Sequence, residues 1–207
     1  MPYSNVPPRI YLASRSPRRR ELLHQIGVDF DTLMFRAPPR DDEDIAEDVL
    51  PGEDAETYVV RVACAKAEGA LRRIGWRRMR PQPILSADTT LELDGEIIGK
   101  PDSEHHADAI LRKLSGRTHR VLTTVAVADE NRLEYRLNIS TVRFRELDDE
   151  DIRRYIATGE PFDKAGAYGI QGHAAVFIAE ISGSYTGIMG LPLFETAELL
   201  GQFGITV

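Results

Sequence analysis

The chain has 207 residues, 42% of them hydrophobic and 29% charged, with a formal net charge of −7. That length fits one large domain or two small lobes and is enough to bury a sizeable core. No apolar run reaches the roughly 20 residues of a membrane span, the start lacks signal-peptide order, and Cys64 is the one cysteine. Membrane insertion, an intrachain disulfide and a cysteine-built zinc cluster are therefore not expected, and a cytoplasmic protein is. The nine acids against two arginines between Arg36 and Glu56 account for the whole net charge. With no broad basic surface left over, a small anionic substrate is a better expectation than nucleic acid.

Arg9 to Ala13 reads as a strand. Ser16 fits a helix N-cap and Pro17 the first helical position, where its missing N–H costs nothing. Arg15, Arg18, Arg19 and Arg20 cluster around this helix start, whose partial positive charge disfavours cations unless an anion offsets them. Two readings stay open here: a phosphate cradle built of N–H groups and guanidinium forks, or a solvated basic turn. Asp29 to Phe35 reads as a second strand, followed by an acidic, Pro-containing loop. A helix is expected from Asp54, with Glu53 or Asp54 at its start and Val59, Val62, Ala63 and Ala70 on one stripe. Lys66 shares that stripe and either snorkels outward or faces an anion. Cys64 reads as an inert thiol in the same helix, and Arg72 to Arg80 as a basic, Gly-broken solvated connector.

Pro83 to Ala87 reads as a strand running into Asp88-Thr89-Thr90 and continuing through Leu91 and Leu93, with a hairpin at Asp94-Gly95 leading to Glu96-Ile97-Ile98. A helix is expected from Ser103 to Leu114. Arg117 to Ala128 and Leu133 to Phe144 read as two long strands, and Asp148 as the cap of another helix. Glu160 to Gly172 has no period and carries three glycines, the mark of a loop whose backbone can approach a ligand. A strand over Val176 to Ile181 and a helix over Pro192 to Phe203 complete an α/β fold on a mixed sheet.

Asp88, following an apolar strand, can orient or deprotonate a water or hold a divalent metal, or it can be a turn cap. Lys100, in Gly99-Lys100-Pro101, can reach a phosphate or decorate a loop. Together with Arg18, Arg19 and Lys66 these residues suit polyphosphate hydrolysis, which needs neutralised phosphate oxygens, a positioned water and usually Mg²⁺ or Mn²⁺. No Walker or dinucleotide-binding glycine pattern is present. Among the histidines, His105 and His106 start a helix as solvated residues, His119 begins a strand, and His173 follows the glycine-rich loop.

In order along the chain, Ala13-Ser14-Arg15-Ser16-Pro17-Arg18-Arg19, Ala87-Asp88-Thr89, Lys100-Pro101, Leu114-Ser115-Gly116, Asp163 to Gly172 (DKAGAYGIQG) and Gly190-Leu191-Pro192 resemble the Maf family of nucleoside triphosphate pyrophosphatases. The Tyr-Gly-Ile-Gln-Gly ending is most similar to the subgroup acting on dTTP and UTP. The resemblance implies a single Maf-like domain over residues 1–207 with an acidic loop insertion near 36–56. It also implies a Maf/ITPase-like fold, in which a mixed central sheet flanked by helices forms two lobes around a cleft. It implies cleavage of nucleoside triphosphates, including modified pyrimidine nucleotides, to monophosphate and pyrophosphate, with Asp88 as proton acceptor. Ser14, Arg18, Arg19, Lys66, Thr89, Lys100 and Gln171 match substrate-binding positions. Gln171 offers the donor and acceptor that a uracil or thymine edge requires. Glu43 of Asp42-Glu43 is the expected metal or water contact, Mg²⁺ or Mn²⁺ the expected cofactor, and a homodimer a common state of the family. Membranes and nucleic acid are not expected partners. A nucleotide-binding regulator of cell division, and a purine or methylated-guanine triphosphatase, are the alternative functions.

Overall fold

The computed structural model describes residues 9–33 and 46–207. Among these, seven strands form one mixed sheet. β1 (Ile10–Leu12) lies between two parallel neighbours, β2 (Phe30–Thr32) and β3 (Ile84–Leu93). Beyond β3 the sheet runs antiparallel through β5 (Thr118–Ala128), β6 (Leu133–Phe144) and β7 (Ile178–Ser182), while β4 (Glu96–Ile98) folds back onto β3. Asp94 and Gly95 make that hairpin with φ of 54° and 81°, the left-handed pair that a two-residue turn demands.

The helices begin where side chains can satisfy their first N–H groups. Ser16 caps α1 (Pro17–Gln25), Asp54 caps α2 (Ala55–Trp76) and Ser103 caps α3 (Glu104–Leu114). Asp148 and Asp151 cap α4 (Asp149–Ala157) reciprocally. Two further helices, α5 (Tyr185–Met189) and α6 (Leu193–Gln202), close the chain.

Strand alternation sorts the packing. Leu85 and Ala87 join Val125 and Val127 in a cluster with α1 and α6, whereas Leu91 and Leu93 join a second cluster with α3, α4, Phe144 and Phe177. β3 and β5 therefore span two apolar centres. The opposite face of β3 and β5 takes α2, which comes close because Ala63 and Ala67 meet Ala126 and Ala128. The buried Ser86 hydroxyl donates to the Ala63 carbonyl at 2.7 Å across this contact.

Four expectations change. Asp88 sits inside a ten-residue strand, not at a strand end. α2 continues through the supposed connector to Trp76, and Arg73, on the extension of its apolar stripe, is only 3% exposed. A 3₁₀ turn over His173–Phe177 delays β7 to Ile178. α5 was not expected at all: five residues, one of them glycine, show no helical period. Of the segment read as the second strand, Phe30–Thr32 forms it, and residues 34–35 lie outside the described residues. Among the described residues no helix is long and apolar enough to cross a membrane.

Candidate active site

β1 and β4 pair with the same edge of β3, but β1 stops opposite Leu85 and β4, running antiparallel, ends opposite Leu91. Between them, Ser86 to Thr90 keep β5 on one side and, among the described residues, no strand on the other. A cleft of about 450 Å³ opens at this interruption. Its lining includes Ser14, Arg18, Arg19, Lys66, Asp88, Thr89, Lys100 and Gln171, so the fold brings together all the expected residues that it describes. Glu43 lies outside the described residues.

Alternation points Asp88 to the α2 face, where the Lys66 ammonium meets its Oδ1 at 2.7 Å. The same ammonium lies 2.9 Å from Oε1 of Glu47, so one lysine joins two carboxylates. Burial pushes the Glu47 carboxyl upward, but Lys66, aided by Lys100 and Arg19, outweighs it and the group is more acidic than an ordinary glutamic acid. Glu47 was missed by sequence reasoning, which favoured the Asp42-Glu43 pair. The signal lies on α2: Tyr58 donates to the Glu47 carbonyl at 2.9 Å. Arg61 binds the carbonyls of Ala46 and Asp48 at 3.2 and 2.9 Å and the Glu53 carboxylate at 2.6 and 2.8 Å. These bonds strap residues 46–53 along the helix and hold Glu47 at the cleft.

Thr89 faces the other way, toward Arg19. Nε of Arg19 donates to the Gly190 carbonyl at 2.8 Å. Its two terminal nitrogens reach Ala87 O at 2.7 Å, Ser14 Oγ at 3.3 Å and Thr89 Oγ1 at 3.2 Å. The guanidinium thus takes over the carbonyl that a missing strand would have bonded, and uses four of its five N–H groups on acceptors of the described residues. Burial lowers its pKa from the ordinary value, partly opposed by Asp88. Arg18 is freer: its terminal nitrogen meets Asp163 at 3.3 Å, and Asp163 also holds Lys164 at 2.5 Å. Lys100 and Gln171 are both exposed at the cleft, and Leu91, Val121 and Ile188 supply an apolar wall.

The Maf family profile, described as "Maf-like protein", matches residues 9–203. The chain belongs to the Maf family. A relative in Aromatoleum aromaticum named dTTP/UTP pyrophosphatase is 64% identical, covering 95% of this chain and 96% of its own. Relatives of the same name in Dechloromonas aromatica and Ralstonia nicotianae are 59% and 56% identical, over 95% and 97% of this chain and 98% and 96% of theirs. Among solved structures, the Staphylococcus aureus Ham1 protein aligns with a TM-score of 0.44 at 19% identity, over 68% of this chain and 72% of that one. In this Maf protein the motifs that carried the resemblance are far apart in sequence, yet the open edge of β3 gathers them into one cleft.

Proposed function

We propose that this protein hydrolyses dTTP and UTP between the α and β phosphates, releasing the nucleoside monophosphate and pyrophosphate. The observation that carries the reading is the placement of Asp88 and Glu47 around Lys66 at an open strand edge, facing the arginine-bearing start of α1. The relatives' shared name supports it. Asp88 takes a proton from a water as that water's oxygen bonds to the α-phosphorus. The bond from phosphorus to the α–β bridging oxygen breaks, and pyrophosphate leaves with the electron pair. Arg18 and Lys100 balance the charge gathering on the leaving group, and the start of α1 adds its partial positive charge. Gln171 pairs its carboxamide N–H with the O4 acceptor and its oxygen with the N3–H donor of uracil or thymine.

Two carboxylates sharing one ammonium form a donor set that fits Mg²⁺ or Mn²⁺, ions that favour one or two carboxylates plus phosphate oxygens. Asp88 and Glu47 are the residues that would hold the ion, and it would supply charge neutralisation at the phosphates.

The test is an assay of pyrophosphate release from dTTP and UTP with Mg²⁺ or Mn²⁺. Asp88→Asn is expected to lower kcat by about 10²–10⁴, the usual contribution of a general base, while nucleotide binding by calorimetry persists. Release of orthophosphate alone, or turnover that survives Asp88→Asn, refutes the mechanism.

A further inference from the structure

Behind the Gln171 loop lies a carboxylate that the reaction does not use. Glu160 opens the 3₁₀ turn Glu160–Asp163, and its Oε1 accepts from the Tyr155 hydroxyl at 2.9 Å. Its Oε2 accepts from the His173 backbone N–H at 2.9 Å. The Tyr155 oxygen in turn accepts from the backbone N–H of Gly169 at 3.3 Å. One side chain therefore grips both ends of the segment Gly169–His173. Within it, the Gly172 N–H bonds to the Gly169 carbonyl at 3.0 Å, closing a four-residue turn that buries Ile170 and presents Gln171 to the cleft.

The glycines record how close this anchor stands. A Cβ on Gly172 would lie 2.1 Å from Oε1 of Glu160, and one on Gly169 would lie 2.8 Å from Cε of Lys164. Lys164 is itself tied to the Glu160 carbonyl through Nζ at 2.6 Å. The turn rests against the Glu160 carboxylate with no room for side chains at its glycine positions.

Placement matters because chemistry alone does not let Gln171 choose a pyrimidine. Guanine offers the same adjacent acceptor and donor along its pairing edge as uracil, carried one ring further from the sugar. A carboxamide held at a fixed depth accepts the smaller base; one free to retreat accepts both. We infer that Glu160 is the positioning residue of Gln171, and that by clamping the turn through Tyr155 and the His173 N–H it sets selectivity for pyrimidine over purine triphosphates. This inference rests on the proposed reading of Gln171 as the base-contacting residue.

The experiment compares kcat/KM for UTP and GTP in the wild type, Glu160→Ala, Glu160→Gln and Tyr155→Phe, together with calorimetric binding of inorganic tripolyphosphate. In Glu160→Ala the UTP-to-GTP ratio is expected to fall at least tenfold, mainly through KM for UTP, while tripolyphosphate affinity changes less than twofold. Glu160→Gln keeps the shape but can accept at only one end, so it should fall in between. Tyr155→Phe frees the Gly169 end alone and should also lower the ratio, which supplies the readout if Glu160→Ala does not fold. A ratio that stays within twofold across the variants overturns the inference. So does a parallel loss on UTP, GTP and tripolyphosphate, which would mark Glu160 as a fold element only. A wild type with no preference for UTP over GTP overturns the reading of Gln171 itself.

Discussion

At the scale of single residues, Lys66 governs the site's charge. Asp88 and Glu47 both depend on its ammonium, at 2.7 and 2.9 Å, and Lys66 is what turns the upward push of burial on Glu47 into a net downward one. In Lys66→Met the burial remains while the largest opposing interaction is gone, leaving Lys100 and Arg19 to favour the carboxylate. The sign follows: the Glu47 carboxyl moves upward from its lowered value. The acid limb of kcat/KM for UTP should therefore shift to higher pH in Lys66→Met, on top of a loss of kcat. A pH–rate profile with an unmoved acid limb would show that Lys66 does not set the ionisation of Glu47.

At the scale of elements, two of the segments that frame the cleft meet at glycine-bearing stretches. The Gly166 N–H bonds to the Gly99 carbonyl at 2.9 Å, which docks the 3₁₀ turn Ala165–Ala167 beside Lys100. Gly166 has φ +72°, and a Cβ there would lie 2.1 Å from Cδ2 of Leu91. Gly166→Ala combines a strained backbone with overpacking against β3, so it should cost about 1–3 kcal/mol in urea unfolding. It should also raise KM, because the turn backs away from Lys100. Unchanged stability would mean that Leu91 yields freely. Elements defined by local chemistry were legible: Ser16-Pro17 marked the start of α1, Asp94-Gly95 the β3–β4 hairpin, and the Val59-Val62-Ala63-Lys66 stripe the face of α2 that meets Asp88. What escaped depends on partners distant in sequence. The open edge at Ser86 to Thr90 exists because β1 and β4 compete for one side of β3, which no local pattern encodes. Glu47 is picked out from its acidic neighbours by Tyr58, 11 residues from the backbone carbonyl that it binds, and by Arg61, 15 and 13 residues from its two. Arg73 reads as a surface residue until the length of α2 carries it to the cleft.

At the scale of the whole molecule, β3 and β5 join two apolar centres, and the one formed with α3 and α4 contains a buried histidine with consequences for overall stability. His119, only 2% exposed, shares a 2.8 Å hydrogen bond between Nε2 and the Tyr168 hydroxyl, and packs edge-on against the rings of Phe144 and Tyr168 at 5.2 and 5.4 Å. No described residue meets its buried Nδ1, so protonation there gains no hydrogen bond. Burial pushes its pKa down to about 4 from the ordinary 6.5. The unfolded chain therefore takes up a proton near pH 6.5 that the folded protein refuses until about pH 4. Stability attributable to this ring is full above pH 6.5 and is lost as pH falls from there toward 4. The other four of the five histidines are exposed, so this desolvation acts on one ring alone. Between pH 6.5 and 5, above the range where most carboxylates titrate, the unfolding free energy should drop by roughly 1–2 kcal/mol, its slope steepening toward the limit of about 1.4 kcal/mol per pH unit that one proton imposes. His119→Gln retains a group able to bond the Tyr168 hydroxyl and removes the titration. Urea unfolding of both proteins across that window decides the matter: the variant should show a nearly flat profile whatever its absolute stability, and a slope equal to that of the wild type would assign the pH dependence to another group.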